Sequence, residues 1–155
     1  MGEALQKRLR QSRFETPVQE AVLNVMVTAG WLEERLAEAL TAHGITPAQY
    51  NVLRILRGAL PGGYARCEIA DRALRRAPDL TRLIDRLEAR RLVGRTRSER
   101  DRRRSVTRIT RRGLELLECA QQSVRAAEAA IGARLTEGES RELSRLCELL
   151  YDDRR

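Results

Sequence analysis

Residues 93 to 110 interrupt a pattern that is otherwise helical, and this interruption limits the folds open to the chain. Segments 93–98 and 105–110 contain Val, Thr and Ile, and the charged run SERDRRR lies between them. This pattern predicts a two-stranded hairpin with a long basic tip. Apolar residues recur at helical spacing on both sides of it. We therefore expect a mainly α-helical (α+β) fold with one β-hairpin.

The hairpin region also carries nearly all of the net charge. Residues 90–112 hold eleven arginines against Glu99 and Asp101, a net charge of +9, while the whole chain of 155 residues carries +8. A cationic segment on a nearly neutral protein indicates a polyanionic partner. Aromatic residues make up only 3% of the chain, which argues against the recognition of single strands by base stacking.

Composition also limits the other classes of function. Three well-separated cysteines and one histidine, His43, are too few ligands for a structural zinc site. The sequence has no glycine-rich phosphate loop and no nucleophile at a defined spacing from His43, so we expect neither an enzyme nor a cofactor. We find no signal peptide and no apolar run long enough to span a membrane. These features favour a cytoplasmic protein without a membrane partner.

Capping signals divide the helical part of the chain. Thr16-Pro17 and Thr46-Pro47 each place an N-cap residue before a proline in the first turn. Gly113 is expected to mark the return to helix after the hairpin, and Thr136 begins a capping box before the last helix. We expect His43 to interact with the last carbonyls of the first long helix. The predicted helical segments are about 16–43, 46–57, 67–74, 78–91, 114–135 and a last one from 136.

The order of these elements predicts three functional regions within one compact protomer. Residues 1–43 would form an N-terminal dimerisation helix, and residues 113–155 the C-terminal dimerisation helices. Residues 44–112 would form a winged helix-turn-helix lobe, with a recognition helix at 78–91 and a wing at 92–110. The outer helices are more apolar than a small winged module needs. We infer that they pack together and that a second copy of the chain completes their core.

Three segments, in this order, carry a family resemblance: GITPAQYNVLRIL, EIADRAL and PDLTRLIDRLEARRLV. The most specific feature follows them, namely Asp101-Arg102-Arg103, six residues, Thr110, two residues and Gly113. With these features, the stretch from about 44 to 117 resembles the MarR family of bacterial transcriptional regulators. One departure is Arg91, where the family usually has a glycine that ends the recognition helix in a left-handed conformation.

The resemblance implies specific roles in DNA binding. Arg103 would be the arginine at the tip of the wing that enters the minor groove, and Asp101 would brace it through a charge-assisted hydrogen bond. The expected contacts from the recognition helix are Asp79, Thr81, Arg82 and Arg86. Those from the wing are Arg95, Arg97, Arg100, Asp101, Arg102, Arg103 and Arg104.

Several of these residues also have simpler interpretations. Arg82 and Arg86 could pair with Asp85 and Glu88 along their own helix, and Asp79 could serve only the helix dipole. The sequence alone favours core positions for Trp31 and Tyr50. The resemblance implies a ligand pocket between the dimerisation helices and the DNA-binding lobe. These two side chains could line it for a small-molecule effector, for which an aromatic compound is one candidate.

The predicted function is a sequence-specific regulator of transcription that binds double-stranded DNA. We expect a homodimeric, ligand-responsive repressor on a pseudo-palindromic operator. Two alternatives remain open: a non-specific architectural DNA-binding protein, and a helical dimeric interaction module whose basic wing binds an acidic protein. Binding to random duplex DNA at low salt separates the last alternative from the other two, because an interaction module would not bind.

Overall fold

The fold is mainly α-helical, with a small antiparallel sheet. In the computed structural model, residues 2–75, 79–97 and 105–152 are described. The elements in chain order are α1 (Glu3–Leu9), α2 (Pro17–Thr41), α3 (Pro47–Gly58), β1 (Tyr64–Ala65), α4 (Arg66–Arg72), α5 (Leu80–Ala89), β2 (Val93–Arg97), β3 (Ser105–Ile109), α6 (Arg111–Gly132) and α7 (Glu137–Tyr151). Within the described ranges, no helix is both long and apolar enough to cross a bilayer.

Four threonines fix where the longer helices begin. The side chains of Thr16, Thr46, Thr110 and Thr136 are N-caps that accept hydrogen bonds from backbone amides in the first turns of α2, α3, α6 and α7. In α3 and α7, a glutamine or glutamate at the third position returns a bond to the cap, so the predicted capping box at Thr136 is confirmed. Gly113 was expected to mark the point at which the helix starts, but it lies inside the first turn of α6, which begins at Arg111.

The sheet has three strands rather than the two expected for the wing. β2 and β3 pair antiparallel, with Val93 opposite Ile109 and Arg97 opposite Ser105, as the hairpin pattern predicts. The short strand β1 adds to the free edge of β3, where Tyr64 lies opposite Thr107. With only two residues, β1 is too short to show an alternating pattern in the sequence. The short helix α1, which places Leu5 in a buried position, was not predicted either.

The main core lies in the winged lobe. The largest fully buried side chains come from the end of α2, from α3, α4, α5 and α6, and from the start of the wing: Leu40, Leu53, Leu56, Ile69, Ile84, Leu87, Leu92, Val93 and Leu117. Helix α5 buries Leu80, Ile84 and Leu87 against this core. Its opposite face is therefore held toward solvent, and the hairpin lies beside it.

Helix α5, the predicted recognition helix, is shorter than the predicted 78–91. It spans Leu80–Ala89 because the carboxylate of Asp79 caps its start, accepting a hydrogen bond from the Arg82 amide at 3.2 Å. Residue 78 lies outside the described part of the chain. At the other end, Arg91 adopts a left-handed conformation with φ 59°. The Arg91 and Leu92 amides then donate to the carbonyls of Glu88 and Leu87, which is the Schellman pattern.

Arg91 therefore adopts the conformation that glycine adopts most easily, and its substitution should reveal the strain. We predict that Arg91→Gly raises the free energy of unfolding by about 1 kcal/mol, since glycine has no Cβ to clash in this conformation. Arg91→Ala is the matched control, because it removes the charge and keeps the Cβ. Denaturant unfolding measures both variants. If Arg91→Ala raised the free energy of unfolding as much as Arg91→Gly does, loss of the charge and not relief of backbone strain would be responsible.

Candidate nucleic-acid interface

The exposed face of α5 is the centre of the candidate interface. Thr81, Arg82, Asp85 and Arg86 are all exposed on this face, opposite the buried leucines and Ile84. An α-helix is about 10–12 Å across with its side chains, and the major groove of B-DNA is about 12 Å wide. The face can therefore present its polar side chains to base edges while the core supports the helix from behind.

Arg82 is held by the residue that caps its own helix. Its Nε lies 3.0 Å from Oδ2 of Asp79, and 78% of its side chain is exposed. Asp79 thus caps the helix with one oxygen and orients Arg82 with the other. Both residues were predicted to lie in the site, and the structure brings them together. Arg86 is exposed on the same face, and no ion pair holds it among the described residues.

The alternative pairing of Arg82 and Arg86 with the carboxylates of α5 is not present among the described residues. Asp85 and Glu88 are instead paired with Arg95 of β2. Arg95 Nη1 lies 3.1 Å from Glu88 Oε2, and Nη2 contacts Asp85 Oδ1. The Arg95 amide also donates to Glu88 Oε1 at 3.2 Å. This pairing joins residues of different elements, so helical spacing alone did not reveal it.

Most of the predicted wing contacts cannot be placed. Arg100, Asp101, Arg102, Arg103 and Arg104 lie outside the described residues, and only the backbone of Arg97 is described, at the end of β2. The described parts of β2 and β3 show where the wing starts. β2 follows α5 after a turn of three residues and contacts it, so α5 and the start of the hairpin lie next to each other.

Two hydrogen bonds connect the end of α5 to α6 through the turn between α2 and α3. Arg90, at the end of α5, donates from Nη1 to the Gly44 carbonyl at 2.6 Å, in the turn between α2 and α3. His43 in the same turn lies 2.8 Å from Ser123 Oγ of α6, measured from Nε2. The expected interaction of His43 with the last carbonyls of its helix is made by the backbone amide, which donates to the Leu40 carbonyl at 3.0 Å, whereas the ring contacts α6. Sequence offers no signal for this contact, since the two residues are 80 positions apart.

Trp31 and Tyr50 lie in different environments. Tyr50 is buried in the core, where burial raises the pKa of its hydroxyl and the nearby Arg54 opposes the shift. Trp31 is half-buried, with the guanidinium of Arg134 5.2 Å from its ring centroid. It lines a groove of about 400 Å³ between α2 and α6, together with Arg35, Glu38, Ala39, Ala127, Ala130, Ile131 and Arg134. Tyr50 does not line that groove, so the structure separates the two predicted pocket residues.

Comparison with known proteins identifies the family. A MarR family model matches residues 43–104. The HTH-type transcriptional repressor Mb2911 of Mycobacterium bovis is 31% identical over 122 residues, which cover 79% of this chain and 86% of the repressor. The chain belongs to the MarR family. It is thus a DNA-binding regulator of transcription, and its relatives are regulators rather than enzymes.

Solved structures confirm the winged-helix fold. A MarR transcription factor from Planctomyces limnophilus is 40% identical, with a TM-score of 0.67, over 88% of this chain and 99% of its own. CouR of Rhodococcus jostii, solved with bound p-coumaroyl-CoA, has a TM-score of 0.74 over 92% of this chain and 99% of its own. At 20% identity, the likeness to CouR shows only the fold. The predicted mainly α-helical fold with a β wing is confirmed.

Proposed function

We propose that this MarR-family protein is a homodimeric repressor that binds a pseudo-palindromic operator. The observation that carries the proposal is the exposed polar face of α5, supported by the core and continuous with the wing. In the proposed complex, α5 of each protomer enters a major groove and each wing reaches the adjacent minor groove. Two copies related by a two-fold axis would read half-sites about one helical turn apart.

Arg82 is the residue proposed to read a base. Its guanidinium is exposed and oriented by Asp79, and a guanidinium matches the O6 and N7 acceptors of guanine in a bidentate contact. Because Asp79 holds Arg82 in the free protein, part of the ordering cost is already met before DNA binds. Thr81 and Arg86 flank this contact, and the wing arginines, with Arg103 at the tip, would contact phosphates and the minor groove.

Exposed apolar faces on the outer helices support the homodimer. Helix α7 has no buried residue, and Leu143, Leu146, Leu149 and Leu150 are between 43% and 63% exposed. Helix α2 exposes Val18, Val22, Val25, Met26 and Leu32 along its length. Exposed apolar residues repeated along two helices are typical of helices that bury an interface between copies. Residues 1–43 and 113–155 are therefore the proposed dimerisation regions.

The groove beside Trp31 supports a response to a small molecule. It combines an aromatic ring with the guanidinium groups of Arg35 and Arg134, and this chemistry suits a planar anionic effector. We propose that such an effector changes the relative placement of the two DNA-binding lobes and so lowers operator affinity. Linkage then requires operator DNA to weaken effector binding by the same factor.

A footprint combined with a mass measurement tests the assembly. On DNA that contains the operator, we expect protection of two half-sites related by a two-fold axis, centred about one turn apart. Sedimentation should give twice the mass of one chain, both free and per operator. A monomer in solution that protects a single asymmetric site would contradict the homodimer, and uniform protection without a boundary would favour the architectural protein.

Arg82→Ala tests the base contact. We expect the loss of about 1–3 kcal/mol of binding free energy on the operator, together with a relaxed preference at one base pair of each half-site. Arg54→Ala is the control, because this exposed arginine of α3 lies outside the proposed DNA contacts and the proposed dimerisation regions, and it should change neither the affinity nor the base preference. Titrations use the operator, its single-base variants and a random duplex. Equal losses by Arg82→Ala on all of them would assign Arg82 to the backbone instead.

A further inference from the structure

Arg95 differs from the other arginines expected to contact DNA. It lies in β2 opposite Thr107 of β3, and its side chain reaches out of the hairpin to the recognition helix. There, a single guanidinium bridges Asp85 and Glu88, which are three residues apart on α5. The Arg95 amide makes a third contact with α5, by donating a hydrogen bond to Oε1 of Glu88 at 3.2 Å. Side chain and backbone together tie the wing to the helix.

The charges around Arg95 make a phosphate contact unfavourable. Its side chain is 34% exposed, compared with 78% for Arg82. It faces two carboxylates, so the group as a whole has a net negative charge and would repel a DNA phosphate. Both terminal nitrogens of the guanidinium contact carboxylate oxygens: Nη1 contacts Glu88, and Nη2 contacts Asp85.

We propose that Arg95 is a positioning residue, which fixes the angle between the wing and the recognition helix. The proposal rests on the proposed operator recognition and revises the role of Arg95 within it. Exposed ion pairs contribute little to the stability of a whole fold. They can still decide between orientations of a hairpin that is joined to α5 by only Arg90, Arg91 and Leu92. Operator binding needs the one orientation that lets helix and wing enter adjacent grooves. The apparent affinity for the operator therefore decreases when fewer molecules have that orientation.

Arg95→Gln is the direct test. We expect the ratio of operator affinity to random-duplex affinity to fall by about threefold to tenfold, the effect of losing one or two exposed ion pairs. The slope of log affinity against log salt should not change, because no phosphate contact is lost. Arg103→Ala, at the proposed wing tip, is the comparison and should flatten that slope by about 0.9. A flattening of that size in Arg95→Gln, with equal losses on both duplexes, would overturn the proposal.

Removing the partners of Arg95 gives an independent test. Asp85→Asn combined with Glu88→Gln removes negative charge next to DNA, which by itself should strengthen binding to every duplex. The operator-to-random ratio cancels this general effect, and we expect that ratio to fall as it does in Arg95→Gln. Adding Arg95→Gln to the pair should lower the ratio no further, since both changes break the same link. Additive losses, or a ratio unchanged by the carboxylate changes, would contradict the proposal.

Two further measurements separate the outcomes. Arg95→Lys should recover only part of the ratio, because an ammonium cannot reach two carboxylates as a planar guanidinium does. Thermal unfolding of each variant should stay within a few degrees of the parent, which confirms that the fold is intact. If the parent protein itself binds operator and random DNA equally, the proposed function fails. If the parent protein prefers the operator but the variants do not give the expected ratios, the proposed role of Arg95 is wrong and the proposed function stands.

Discussion

The proposed DNA-binding surface depends on one tight junction, at which α5, the wing and α6 meet. The Thr110 amide donates to the Leu92 carbonyl at 3.0 Å, and the Thr110 hydroxyl lies 2.8 Å from the Arg91 carbonyl oxygen while it caps α6. Gly113 completes the junction, because a Cβ at this position would lie only 2.1 Å from the Leu92 oxygen. Both ends of the hairpin are thus anchored at its base, while contacts farther along the strands set the orientation of its outer part.

Two further sets of contacts hold the elements around this junction. On one side, Arg95 connects β2 to Asp85 and Glu88 of α5. On the other side, Arg90 ties the end of α5 to the turn before α3, and His43 ties that turn to α6. We therefore propose that α5 and the wing move together when the spacing of the long helices changes.

The sequence predicted the elements whose signals are local. Threonine caps and apolar spacing located the main helices, and the change to Val, Thr and Ile located the hairpin. Apolar spacing also located α5, though with ends too long, because Asp79 caps it from outside and Arg91 leaves the helical conformation. Contacts between distant residues could not be predicted. The bridge from Arg95 to Asp85 and the contact of His43 with Ser123 depend on how elements pack, which no spacing encodes.

The most direct test of the account is the ratio between operator and random-duplex affinity for the unmodified protein, measured over a series of salt concentrations. The account predicts a steep salt dependence on both duplexes, from phosphate contacts of the wing and the helix, and a preference for the operator of about a thousandfold or more. Equal affinities for the two duplexes at every salt concentration would contradict it, because α5 would then contribute charge without reading sequence.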